Sequence, residues 1–161
     1  MKRIVLVMVS ILFSLSLVGC GNEGKQEELL QYLNNDIVEM VSIETELLES
    51  YGSVTGDNYT GDTTTYSEFT TNTYVLAREL NDMAVEISKN IKDKEILKVH
   101  RLYMDYSNKF LSTIGVMITA IENQDIAQMS EANEKLNEAN NLALDYQIEL
   151  NDLVDKYNVA I

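Results

Sequence analysis

The chain has no proline and no tryptophan, and only one cysteine and one histidine. A single thiol excludes a disulfide framework, and a Cys/His zinc site is not expected from so few ligands. Bases are also scarce. Twelve Lys and Arg face 26 Asp and Glu, two of the bases (Lys2 and Arg3) precede residue 20, and none lies between Gln26 and Ala77. So acidic a chain repels a polyanion instead of releasing its counterions, so no nucleic-acid partner is expected. What is present is a composition 45% apolar and 24% charged over 161 residues. That is enough for one domain with a real hydrophobic core, and it matches neither a disordered chain nor a multi-span membrane protein.

Lys2 and Arg3 form a short positive start, followed by a mostly apolar run from Ile4 to Val18. The run is shorter than the roughly 20 residues needed to span a bilayer, so it reads as the apolar region of a signal peptide covering residues 1–19. Its end, Leu17-Val18-Gly19-Cys20, resembles the bacterial lipobox. The resemblance implies diacylation of the Cys20 thiol and cleavage between Gly19 and Cys20. The competing reading is an ordinary signal peptide with a chance cysteine. Two acyl chains suffice for stable anchoring, which places the expected product on the outer face of the plasma membrane. Residues 20–25 would then be a lipidated tether, and residues 26–161 the folded domain.

Beyond the tether, apolar residues recur at helical spacing, and no stretch alternates as a half-buried strand does. The first stripe is Leu30, Leu33, Ile37, Met40, Leu47 and Tyr51, with Gly52 suited to end the helix in a left-handed conformation. Three of the seven glycines (Gly52, Gly56, Gly61) fall in residues 52–64, which marks a loop. A capping box, Thr65-Tyr-Ser-Glu68, would open the second helix, with the stripe Phe69, Leu76, Leu80, Met83, Ile87, Ile91. Its first half is rich in threonine, a poor helix former, so packing must hold it. Asp93 is the expected N-cap of a third helix with the stripe Ile96, Val99, Tyr103, Tyr106, Phe110, Ile114, Met117, Ile121. Asp125, with Gln128 three residues on, is the expected N-cap of the fourth. That helix keeps the cleanest spacing, from Met129 through Ala132, Leu136, Ala139, Ala143, Tyr146, Leu150 and Leu153 to Tyr157. Its alanines would admit a close neighbour, with Gly115 as a facing position. The expected architecture is all-α, an up-down-up-down four-helix bundle.

Candidate chemistry is thin. His100 lies on the flank of the third stripe, without the second histidine or Glu-x-x-His that a metal site would use, and reads more simply as a hydrogen-bonded flank residue. Glu44 occupies a stripe position, where a buried carboxylate could hold a cation; the simpler reading tilts it to the bundle edge and into solvent. The tyrosines on the stripes could line a ligand slot or simply pack with their hydroxyls at the edge. Asp57 and Glu68 have the end-to-end spacing of a calcium loop, but Tyr59 stands at its third position and Gly61 at its fifth, so the pattern fails. The Asn58-Tyr-Thr60 sequon carries no weight beside a bacterial lipobox. No cofactor, no metal site and no enzymatic activity are expected.

Tyr51-Gly-Ser-Val-Thr-Gly56 with Asn58-Tyr59, His100 with Tyr103, Ala120-Ile-Glu122 with Gln124-Asp125, and Ala132-Asn-Glu-Lys-Leu-Asn-Glu138 together resemble a helical domain. It occurs in small lipoproteins and other anchored proteins of low-GC Gram-positive bacteria. The likeness spans most of residues 40–140, with the Ser-Val-Thr-Gly-x-Asn-Tyr loop its most specific part. Members carry a proline inside the second helix and another after the aspartate matching Asp125; this chain has neither. The resemblance implies a compartment and a fold, and brings no catalytic residues.

The expected topology also sorts the charge. Residues 21–31, 84–101 and 149–161, at the membrane end, hold seven bases and nine acids; the rest of the chain after Cys20 holds three bases and 17 acids. The far end is therefore the acidic one. Asp57, Asp62, Glu68, Glu122 and Asp125 form a candidate surface for a basic protein or divalent cations, against the plainer reading of a solubilising surface. The function expected is a lipid-anchored, non-enzymatic interaction module, with a small-ligand or cation-binding bundle around Glu44 and His100 as the alternative.

Overall fold

The computed structural model describes residues 23–159, so the signal segment and the Gly19–Cys20 junction lie outside the described residues. Within them the chain is all-α, with four helical rods and no strand. The first rod joins α1 (Glu23–Gln31) through a π-turn (Tyr32–Asp36) to α2 (Ile37–Ser53). A connection containing a short 3₁₀ turn (Gly56–Asn58) leads to the second rod, α3 (Asp62–Glu68), a π-turn (Phe69–Thr73) and α4 (Tyr74–Ser88). The third and fourth rods are unbroken: α5 (Lys94–Asn123) and α6 (Ile126–Lys156).

Both expected aspartate caps form. Asp93 accepts from the N–H groups of Glu95 (2.7 Å) and Ile96 (3.1 Å), and Asp125 from that of Gln128 (3.0 Å). Each satisfies otherwise orphaned donors of a first turn and contributes about 1 kcal/mol. Between these helices Gln124 takes a left-handed conformation (φ 53°), and the Asp125 N–H closes on the Ala120 carbonyl at 2.9 Å.

Four local expectations are corrected. Gly52 lies inside α2, which runs on to Ser53; the left-handed glycines are Gly56 (φ 59°) and Gly61 (φ 137°), in the connection that follows. The second rod starts at Asp62, so Thr65 caps nothing: its hydroxyl, inside the first turn, donates to the carbonyls of Val54 and Gly61, both at 3.2 Å. Gly115 faces the Tyr74 ring of α4, 3.6 Å from where a Cβ would stand, and not the alanines of α6. Glu23, Gly24 and Lys25, read as tether, belong to α1.

The two π-turns explain a register slip. The Ile37 N–H reaches back five residues to the Tyr32 carbonyl, and Tyr74 likewise to Phe69. Each such turn carries one extra residue, so the stripe shifts on its far side, and Leu29 rather than Leu30 is fully buried. The second π-turn falls in the threonine-rich stretch. There Thr70 and Thr71 donate to the carbonyls of Tyr66 (2.8 Å) and Ser67 (2.7 Å), a back-bonding that loosens a helix.

Pairs across the rods define the packing. Lys98 meets Glu149 (2.9 Å) and Lys109 meets Glu138 (2.6 Å) between α5 and α6, the most extensive interface, where Ala132, Ala139 and Ala143 are buried. Ser50 of α2 bonds Thr73 at 2.7 Å, and Ser107 of α5 bonds Asn81 of α4 at 3.3 Å. Of the residues expected at stripe centres, Leu33, Leu47, Leu80, Tyr103, Phe110, Met117 and Ala143 are buried; Ile37, Met83, Leu136 and Leu150 are half-buried and pack on the same core. The result is a helical bundle with one continuous core.

Candidate functional site

The centre of this core is polar. Glu44 of α2 is 2% exposed, and its two oxygens accept from the hydroxyls of Tyr103 (2.9 Å) and Tyr106 (2.8 Å) of α5. The expected solvated edge position is overturned. Helical spacing puts Glu44 between Met40 and Leu47, both buried, and two phenols supply the partners that water would. Burial pushes the Glu44 carboxyl above its usual range, with the bonds from Tyr106 and Tyr103 opposing. Burial and the nearby Glu44 in turn raise both phenols well above theirs.

His100 is also inside, fully buried, not on a flank. Its Nε2 lies 2.7 Å from the Ala84 carbonyl of α4, which can only accept, so Nε2 carries the proton. Nδ1 is then the acceptor for the Tyr32 hydroxyl at 3.0 Å, and the Tyr32 oxygen accepts in turn from the Tyr146 hydroxyl at 3.1 Å. The direction of the whole chain follows: Tyr146 to Tyr32 to His100 to the Ala84 carbonyl. Burial lowers the His100 pKa, with the Ala84 bond and the charge of Asp36 opposing.

Aromatic edges join the two groups. Tyr103 packs edge-on against Tyr106 (ring centroids 5.6 Å apart) and against Tyr146 (5.1 Å), and stacks beside His100 (6.4 Å). Tyr32, absent from the expected stripe, is the member that sequence reasoning missed. It sits at the start of a π-turn in the polar run Gln31-Tyr-Leu-Asn-Asn35, where a regular helical period gives no sign of it. Of the two readings open for the stripe tyrosines, a ligand slot or plain packing, Tyr103, Tyr106 and Tyr146 follow the second, ring against ring. The larger surface groove described, about 770 Å³, runs between the first two rods past Asp36, Glu39, Glu79, Asp82 and Met83, and a smaller one, about 440 Å³, lies beside Gly115. Neither is lined by Glu44 or His100.

The five acidic candidates are not drawn into one metal-binding group. Glu68 accepts from Ser50 (2.6 Å) and Asn72 (2.9 Å), Asp62 from the Tyr59 hydroxyl (2.6 Å), and Asp125 caps α6. Asp57 and Glu122 are exposed. Among the described residues no three His, Cys, Asp or Glu side chains gather as a metal cluster would. Nor is any described helix long and apolar enough to cross a membrane.

The starts of α1 and α5 and the end of α6 are tied together by charge. Glu95 at the start of α5 pairs with Lys25 of α1 (3.2 Å) and with Lys156 of α6, and these two lysines hold its carboxyl down to about 2. Comparison of the chain with family models, curated proteins and solved structures returns no match.

Proposed function

We propose that this protein is a lipid-anchored lipoprotein on the outer face of a bacterial plasma membrane, and that its folded part is a non-enzymatic interaction module. The four rods would run up-down-up-down, so that the start of α1, the 89–93 turn and the end of α6 share the membrane end. The lipobox-like Leu17-Val18-Gly19-Cys20 supports the anchor, with the lone cysteine at the one position that acylation requires.

One observation carries the choice of an interaction module over a binder. Both oxygens of Glu44 and both nitrogens of His100 are occupied by partners from the chain itself. A ligand beside either would have to displace those partners and leave buried phenols or an imidazole unpaired, at about 1–3 kcal/mol each. The alternative, a small-ligand or cation-binding bundle, must meet that cost. With the interior closed, a partner would meet the surface, and the exposed Asp57 and Glu122 belong to the acidic end proposed for a basic protein or divalent cations. Asp62, Glu68 and Asp125 would act there while also holding local structure.

The test is in two parts. Cells fed an alkyne-tagged fatty acid should label the wild-type chain and not Cys20→Ala, and the labelled protein should be recovered in membranes with partners retained at low salt. Thermal-shift screening of the same protein against cations and small metabolites should give no shift; a saturable shift lost in Glu44→Gln would favour the binder instead.

A further inference from the structure

The outward side of α6 carries an uncharged stripe. Ile126, Leu144 and Ile148 are 86%, 54% and 59% exposed, and the first two stand about five full turns apart, so all three lie on one side of the helix. From Ile126 to Asn151 no Asp, Glu, Lys or Arg stands within about 60° of the line through Ile126 and Leu144, at 3.6 residues per turn. Exposed amides take up much of it: Asn133, Asn137, Asn141 and Asn151. The charged residues of the same span, Glu131, Glu134, Lys135, Glu138, Asp145 and Glu149, all lie further round. Glu138 and Glu149 pair with Lys109 and Lys98 of α5, and Glu131 pairs with Lys135. Glu134 and Asp145 border the stripe on one side, and Asp155 lies beyond its end. A face that served only solubility would share in a net charge of −14.

We propose that this face of α6 docks on the same face of a second copy of the chain, as a weak two-fold pair. A two-fold contact sets one patch against itself, so the patch must match its own chemistry. A carboxylate there would meet a carboxylate. An aliphatic side chain meets an aliphatic one, and an amide, both donor and acceptor, can bond another amide. Charge points to the same occupant. Two copies at −14 each repel across most of their surfaces, and along this stripe they can approach without setting carboxylate against carboxylate. A basic partner would gain nothing from an uncharged strip and has acidic surface elsewhere to choose. The size of the strip sets the strength. It is about 38 Å long and about 10 Å wide, so two copies together cover about 800 Å², in the range of transient contacts and below that of stable dimers. The pairing needs neither the anchor nor the acidic end.

Crosslinking of the full chain in intact bacterial cells that express it tests this. Cys20 is the only native thiol, and a cysteine placed at Asn137, near the middle of the stripe, comes close to its mate whichever way the two helices run. With a short bismaleimide, Asn137→Cys should give a band at twice the mass of the chain, several-fold stronger than the wild type, which reads any contribution of Cys20. Glu79→Cys, exposed on α4, should stay at the wild-type level. Adding Leu144→Glu to Asn137→Cys should cut the band several-fold, because each copy then brings a carboxylate into the contact. The exposed position of Leu144 should leave the melting temperature of that variant unchanged. A band no stronger than that of wild type or Glu79→Cys, or one that survives Leu144→Glu, overturns the pairing. A crosslinked band at any other mass gives the face to a different protein and overturns it as well.

Discussion

Tyr32 donates its hydroxyl proton to Nδ1 of His100 across 3.0 Å, and the carbonyl on the other side of the imidazole sets that direction. Because Ala84 can only accept, the neutral ring has one tautomer available. Each proton in the chain from Tyr146 onward is then assigned.

The assignment makes two similar substitutions unequal. Tyr32→Phe removes the donor to Nδ1 and also the acceptor for Tyr146, orphaning two buried groups; we expect a loss of about 2–4 kcal/mol. Tyr146→Phe removes only the outermost donor and leaves Tyr32 bonded to His100, for a loss of about 1 kcal/mol. Denaturant unfolding of both variants checks the order, and equal losses would contradict the direction of the chain.

Protonation of His100 should weaken the fold. Its folded pKa lies below the ordinary value of 6.5, so the unfolded chain binds the proton more readily. This contribution to stability is present above about 6.5 and is lost as the pH falls from there through the folded pKa. The melting temperature should therefore drop on acidification below that point, and His100→Gln should flatten that part of the profile. An unchanged profile in the variant would remove His100 as the cause.

How far the sequence discloses this fold depends on the helix. In α5 the regular period holds, and seven of its eight stripe residues are buried, with Ile121 half-buried; both aspartate caps could also be read directly. The first rod resists, because a π-turn breaks the 3.6-residue period that any such reading assumes. Glu44 could be placed on the core face by spacing alone. Its state could not, since the phenols that receive it stand 59 and 62 positions away on another helix. Tyr32 and the directed chain to His100 depend on that same broken period and on a backbone carbonyl, neither of which the order of residues displays.

Gln124 holds a left-handed conformation that a side chain disfavours by about 1 kcal/mol or more, and glycine adopts it freely. Its N–H bonds the Ile121 carbonyl at 3.2 Å, a contact that glycine keeps. Gln124→Gly should raise stability by about 0.5–1 kcal/mol, or about 2–4 °C in melting temperature. A lower melting temperature would mean that the side chain serves the turn in a way its backbone does not display.

Glu44 should make the protein less stable as the pH rises, the reverse of most carboxylates. Its folded pKa is raised above the ordinary 4.5, so between those two values the native state holds a proton that the unfolded chain has lost. The associated stability is full below about 4.5 and is lost as the pH climbs through the folded pKa. Glu44→Gln cannot titrate, and its amide can still bond both phenols, one as acceptor and one as donor. The melting temperature of the variant relative to wild type should therefore be higher at pH 7 than at pH 4. Glu44→Ala separates this effect from the loss of the side chain. It strands the hydroxyls of Tyr103 and Tyr106 and opens a cavity, at about 2–5 kcal/mol, and should destabilise at both pH values. A difference between Glu44→Gln and wild type that does not move with pH would show that Glu44 is not displaced from its ordinary titration by burial, and that the two phenols hold it as well as water does.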